Sequence, residues 1–264
     1  DKISRGLRLP DNERILHMAP HHDDIELAYF PMIHHLVRSA FNDNIFCYCT
    51  SGFTSVTNFY ALKVLAGLAD AIKGRYLFRF SPRSELFDVK MYQDDITGYL
   101  NQIASQDKAG QDLYISMRIA RMLSYRLKTK SEKKILSWVK KEMEHLSRTD
   151  PGSRDKSSTI EIKSWLREFE AELAWAHFGI KAGKVHHLRL KFYTDDIFPK
   201  YPDHKKDVMP IVRLFEKVKP TVITLAMDPE GSGPDTHFKT LIAISQAVKE
   251  YAGRDGNRDI RIWG

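Results

Sequence analysis

Cysteine is nearly absent: the chain of 264 residues has two, Cys47 and Cys49. That excludes a disulfide framework. The pair lies at i and i+2 in the apolar run Ile45-Phe-Cys-Tyr-Cys-Thr50, so both thiols are expected on one face of a strand, buried and reduced. Such thiols fit a reducing cytoplasm. Long apolar runs are missing too. No stretch of about 18 such residues occurs, so no transmembrane helix is expected. The opening residues, Asp1-Lys-Ile-Ser-Arg5, lack the basic-then-apolar pattern of a secretory signal. No initiator Met precedes them, as is expected of a fragment or of a trimmed chain. No zinc-finger or RNA-recognition signature is present, and no internal repeat.

What remains reads as a globular chain. Its length predicts one large domain, or one domain carrying a large insertion. Hydrophobic residues make up 42% and charged residues 28%, which excludes wholesale disorder. Lys and Arg total 41 against 34 Asp and Glu, a net charge of +7 that fits an anionic ligand. The densest basic stretch, Lys128 to Lys141, is interrupted by Glu132, and its apolar positions recur at helical spacing. It reads as a solvated helix face, and nucleic acid is not expected as a partner.

The chain opens with a buried strand over 14–20, a helix over 25–38 despite Pro31, and a second strand over 45–50. Strand–loop–helix–strand is the start of a parallel α/β sheet. From about 59 to 150 helical patterns dominate, among them Leu113 to Leu127 and Ile135 to Leu146. A strand-like piece, Arg75 to Phe80, interrupts them. We expect 81–155 to be a helical insertion or lid within a single domain spanning 1–264. The α/β pattern then resumes: a helix over 160–178, a strand over 185–190, a helix over 208–218 and a strand over 221–227. A helix over about 238–251 and a last strand over 260–263 complete the chain.

The first strand runs into Pro20-His21-His22-Asp23-Asp24. In open α/β sheets, ligands bind at the carboxyl ends of the strands. His21 and Asp24, at i and i+3 across a tight turn, can hold one metal ion, and a mixed nitrogen and oxygen set suits zinc. Asp23 then remains to hold a water and take its proton. The competing reading is helix capping, because aspartates satisfy the backbone N–H groups of a helix start. Packing gives no reason to place four titratable residues together. A third ligand is needed. His237 follows the strand over 221–227 through a glycine-rich loop, and His204, in Tyr201-Pro-Asp-His204, competes with it. The clearer strand and the glycines favour His237. His17, His34, His35, His186 and His187 fall within elements and receive no role.

Pro20-His21-His22-Asp23-Asp24 resembles the His-Pro-Asp-Asp motif of the PIG-L/LmbE-like deacetylases. Thr50-Ser-Gly52 resembles that family's Thr-x-Gly loop. Arg167-Glu168-Phe-Glu170-Ala171-Glu172 with Gly179 resembles its Arg-Glu-x-Glu-Ala helix, and Gly233-Pro-Asp-Thr-His237 resembles its late His-Pro-Asp-His segment. These stretches span about 14–60 and 160–264, leaving the middle uncovered. The late loop is most similar to the deacetylase-like domain attached to some glucosamine-6-phosphate deaminase-like proteins. The resemblance implies a Rossmann-like, mostly parallel sheet flanked by helices. It also implies a cytoplasmic hydrolase of carbohydrate metabolism that removes an acetyl group from an N-acetylglucosamine-type sugar, phosphorylated or not, with Zn2+ or another divalent metal. His21, Asp24 and His237 would bind the ion, Asp23 would be the general base, and Arg167 would reach the substrate unless it pairs with a Glu on its own helix. Two positions depart from the pattern. His22 replaces a proline, adding an imidazole that is a candidate accessory group. Pro234, beside Gly233, stands where the family carries a second histidine; His204 is a candidate substitute. That second departure leaves open a catalytically weak or inactive sugar- or metal-binding domain. The middle segment is expected to act as a lid or as a homo-oligomer contact.

Overall fold

The computed structural model describes residues 8–82, 85–150, 152–194, 196, 200–226, 235–254 and 260–264. Five strands form one all-parallel sheet: β1 (Arg14–Ala19), β2 (Asp43–Tyr48), β3 (Val185–His187), β4 (Val222–Leu225) and β5 (Arg261–Trp263). Their order is β3-β2-β1-β4-β5. The described residues also form eight α-helices: α1 (Asp24–Leu36), α2 (Asn58–Lys73), α3 (Tyr92–Ala104), α4 (Lys108–Leu127), α5 (Glu132–Arg148), α6 (Ser157–His177), α7 (Met209–Val218) and α8 (Asp235–Arg254). The architecture is α/β and Rossmann-like. None of these helices is long and apolar enough to cross a membrane.

The chain divides into two compact units, 1–51 with 178–264 and 52–177. The first holds the whole sheet with α1, α7 and α8. Its three inner strands, β2, β1 and β4, are buried along nearly their whole length because both sheet faces are covered. Leu16, Met18, Ile45, Cys47, Ile223 and Leu225 pack on one face with Ile211, Val212 and Phe215 of α7 and with Ala243, Ile244 and Ala247 of α8. Ile15 and Val222 pack with Leu36 of α1 in a smaller cluster. Cys47 and Cys49 are both buried and free, and burial pushes the Cys47 thiol up. The chain leaves β1 towards β2 and β3 on one side and returns to β4 and β5 on the other. The reversal lies between β1 and β4, where a parallel sheet opens a crevice at its carboxyl ends.

His17 gains a structural role that its sequence context did not reveal. It is fully buried in β1, level with Phe46 of β2 and Thr224 of β4. Its ring stacks on Phe46, with 4.8 Å between centroids. Asn44 uses its amide N–H on the Leu36 carbonyl (3.2 Å), so its oxygen faces His17 Nε2 at 3.1 Å. Nε2 therefore carries the proton, and Nδ1 accepts from the Thr224 hydroxyl at 2.9 Å. Burial pushes this imidazole down to about 4, with the Asn44 bond working against the shift. A depressed folded pKa means the neutral ring's contribution is complete above pH 6.5 and is lost as pH falls towards 4. The shift corresponds to about 3 kcal/mol. His17→Gln is thus expected to be the less stable protein at pH 7 and to close that gap as the pH drops through this window. Urea unfolding of both proteins at stepped pH measures the difference, in which shared groups cancel. A gap that ignores pH means the folded ring is not held neutral.

The second unit is helical. Thr57, Asp107 and Ser131 cap α2, α4 and α5 by accepting from backbone N–H groups three residues on. The strand expected over Arg75–Phe80 is instead a 3-10 turn, Tyr76–Arg79. Arg75 enters it in the left-handed region (φ 58°), directly after Gly74 ends α2. A strand needs a neighbouring ladder, and every strand of the described residues belongs to the other unit. The polar residues of α4 also depart from the amphipathic reading. Arg118 and Arg121 are 3% and 1% exposed and pair with Glu172 and Asp95.

Candidate metal centre

Two chain segments meet at the β1–β4 crevice. The first is the turn that joins β1 to α1 and carries residues 20–23. The second is the start of α8, which brings His237. Tyr29 of α1 donates to the Leu225 carbonyl at the end of β4 (2.6 Å), and Ala226 N–H donates to the Met18 carbonyl (2.9 Å). These bonds tie the two carboxyl ends together.

His21, Asp24 and His237 converge there. His21 Nδ1 is 3.1 Å from His237 Nε2 and 3.4 Å from Asp24 Oδ2, and His237 Nε2 is 3.4 Å from the same Oδ2. Their side chains are 21%, 15% and 11% exposed for His21, Asp24 and His237. They are the group of three or more His, Cys, Asp or Glu residues among the described residues able to hold an ion. Hydrogen bonding can serve at most two edges of such a triangle at once, because N–H protons on both rings would point at Asp24 and then face each other along the third edge. A tetrahedral ion does account for it. Ligands at about 2.0–2.1 Å from zinc stand about 3.3 Å apart along each edge. The two imidazole nitrogens and one carboxylate oxygen therefore fit a divalent ion in both chemistry and spacing.

The surroundings favour the ligating state of Asp24. Burial works to raise its carboxyl, but the His21 side chain and backbone N–H, the latter at 2.7 Å, bond the carboxylate. With the charge of His237 and His21 they hold it below its ordinary range. Tyr193 packs edge-on against His21, with centroids 5.6 Å apart.

No family model matches the chain, and neither a curated protein nor a solved structure matches it.

The remaining sequence candidates fall in different places. Asp23 is exposed at the cap position of α1, yet its side chain makes no capping hydrogen bond. His22 turns away from the three donors: its Nε2 is 3.3 Å from His187 Nδ1, and its ring stacks on Tyr48. His204 is exposed and bonds Glu250 at 2.8 Å, so His237 rather than His204 joins the 21–24 turn. Arg167 belongs to the helical unit, where its guanidinium bonds Glu170 on the same helix at 2.8 Å. Gly233 and Pro234 lie outside the described residues.

Two neighbouring residues carried no sequence signal. Glu26, in the first turn of α1, has a carboxyl raised to about 7, chiefly by burial. The Tyr48 hydroxyl bond lowers it, and the charges of Asp23 and Asp24 add to the rise. Asp207, 1% exposed, accepts from Phe192 N–H at 3.1 Å, Asp203 N–H at 2.8 Å and Lys191 N–H, and so sutures the segment after β3 to the start of α7.

Proposed function

We propose that the chain is a metal-dependent N-deacetylase of the PIG-L/LmbE-like kind, acting on an N-acetylglucosamine-type sugar. The observation that carries this reading is the convergence of His21 Nδ1, Asp24 Oδ2 and His237 Nε2 to 3.1–3.4 Å. The resemblance of segments in the same order along the chain supplies the reaction class. The exposed carboxylate of Asp23, adjacent to a ligand and making no capping bond, supports a proton-transfer role.

In this reading His21, Asp24 and His237 hold the ion, zinc by the donor set. An ion held there would supply Lewis acidity towards the acetamide carbonyl and would lower the pKa of a water. Asp23 would take a proton from the water as the water oxygen adds to the acetamide carbon, and would give that proton to the sugar nitrogen as the C–N bond breaks, releasing acetate and the free amine. Asp24 would stay a ligand throughout, its carboxylate keeping the hydrogen bond from the His21 backbone N–H.

The test has two stages. The wild-type chain is titrated with Zn2+ against a chelator, then incubated with N-acetylglucosamine and its 6-phosphate while acetate release is followed. His237→Ala is expected to lose more than about a hundredfold in Zn2+ affinity, beyond the range for loss of an outer-shell partner. His204→Ala is expected to retain wild-type affinity. Zinc binding without acetate release from either sugar would make the chain a binding domain. No zinc binding at all would remove the deacetylase reading.

A further inference from the structure

Three rings crowd the carboxyl ends of β1, β2 and β3. The centroid of His22 lies 4.7 Å from that of Tyr48 and 5.3 Å from that of His187, and Tyr48 is 5.9 Å from His187. The interplanar angles are 24°, 24° and 15°. His22 is 4% exposed, and its Nε2 forms the 3.3 Å bond with His187 Nδ1. The Tyr48 hydroxyl donates to Glu26 Oε1 at 3.3 Å. Tyr48 thereby holds both the residue after His21 and the residue two beyond Asp24. Backbone bonds fix the same region: Thr50 N–H and hydroxyl both donate to the Pro20 carbonyl, at 2.9 and 2.8 Å, and Leu188 N–H donates to the Tyr48 carbonyl at 3.0 Å.

His21 and His22 are consecutive, and their side chains have separate partners. One meets Asp24 and His237; the other meets Tyr48 and His187. A short turn holding two ligands must otherwise be ordered when the ion binds, and that ordering weakens affinity. We infer that the His22–Tyr48–His187 ring cluster is a positioning device. It clamps the 21–24 turn through the side chain next to a ligand, so that His21 and Asp24 are already in ligating geometry when an ion arrives. The inference rests on the metal-centre reading above.

The experiment uses the full chain, with Zn2+ competition titration and the visible absorption spectrum of the Co2+ form. His22→Ala is expected to weaken Zn2+ binding by about 10- to 100-fold, the range for lost outer-shell support, and to shift the Co2+ bands as the ligand geometry loosens. His22→Phe keeps a ring without the nitrogen and is expected to recover most of that affinity through stacking. His187→Leu removes the partner of His22 and is expected to shift both readouts in the direction of His22→Ala. Should His22→Ala fail to fold, His187→Leu decides on the same two readouts. Wild-type affinity with an unchanged Co2+ spectrum in the variants overturns the inference. A wild-type chain that binds no Zn2+ removes the centre itself, and is recognised because the variants then have no affinity to lose.

Discussion

Asp23→Ala is expected to bind Zn2+ as the wild-type chain does and to release acetate about 10²- to 10⁴-fold more slowly, the usual worth of a positioned general base. The separation follows from the 21–24 turn. Asp24 belongs to the three converging donors and is positioned by the His21 backbone N–H, whereas the Asp23 side chain neither joins the three donors nor caps α1. The loss should appear in kcat with KM little changed, because proton transfer strengthens only in the transition state. Asp24→Ala is the contrasting variant, and both ion and turnover should go together. Metal content by atomic absorption, measured beside acetate release at saturating sugar, reads both. An Asp23→Ala protein within about threefold of wild-type kcat contradicts the proton-transfer role, while one that loses the ion makes Asp23 a ligand.

The legible parts of this molecule were those with local signals. The run Ile15–Ala19 is buried at every position, and apolar but for His17, because β1 is central in a sheet covered on both faces, and a polar cluster at its end marks a strand terminus. His237 was separable from His204 because the strand before it is the clearer. The less legible parts depend on tertiary partners. His17 looks like any strand histidine until Asn44, Phe46 and Thr224 surround it on flanking strands. His22 and His187 are 165 residues apart and meet only because β2 pairs with both β1 and β3. The strand-like piece Arg75–Phe80 has no ladder to join. Arg118 and Arg121 count as polar in any periodicity, yet they occupy the buried face of α4, because a guanidinium can be taken out of water when its donors are met.

That burial sets the second large effect. Arg121 is 1% exposed. Its Nε bonds both Asp95 oxygens at 2.8 and 3.1 Å, and its terminal nitrogens bond the Asp88 carbonyl at 3.2 Å, the Glu85 carbonyl and Ser81 Oγ. Asp95 is equally buried. Burial raises its carboxyl to about 6, even though Arg121 pulls the other way. Desolvation therefore outweighs the attraction within the pair. The pair as a whole adds little compared with an apolar replacement, but either partner left alone is a buried, unpaired charge. Arg121→Met is accordingly expected to destabilise the helical unit by about 3–5 kcal/mol at pH 8. The penalty has a predictable pH dependence. A carboxyl raised in the folded state binds its proton more tightly there, so its contribution is greatest below its unfolded value of 3.8 and is lost as the pH rises through about 6. Without Arg121 the folded pKa moves higher still, and acidification neutralises the orphaned carboxylate. The deficit of Arg121→Met should therefore shrink between pH 8 and pH 5, and Asp95→Asn/Arg121→Met should be more stable than Arg121→Met at pH 8. Urea unfolding followed by tryptophan fluorescence reports on this unit, since Trp138, Trp165 and Trp175 all lie within it. A deficit that is constant across this range would place the cost in the lost contacts to the Glu85 and Asp88 carbonyls instead of in the stranded charge.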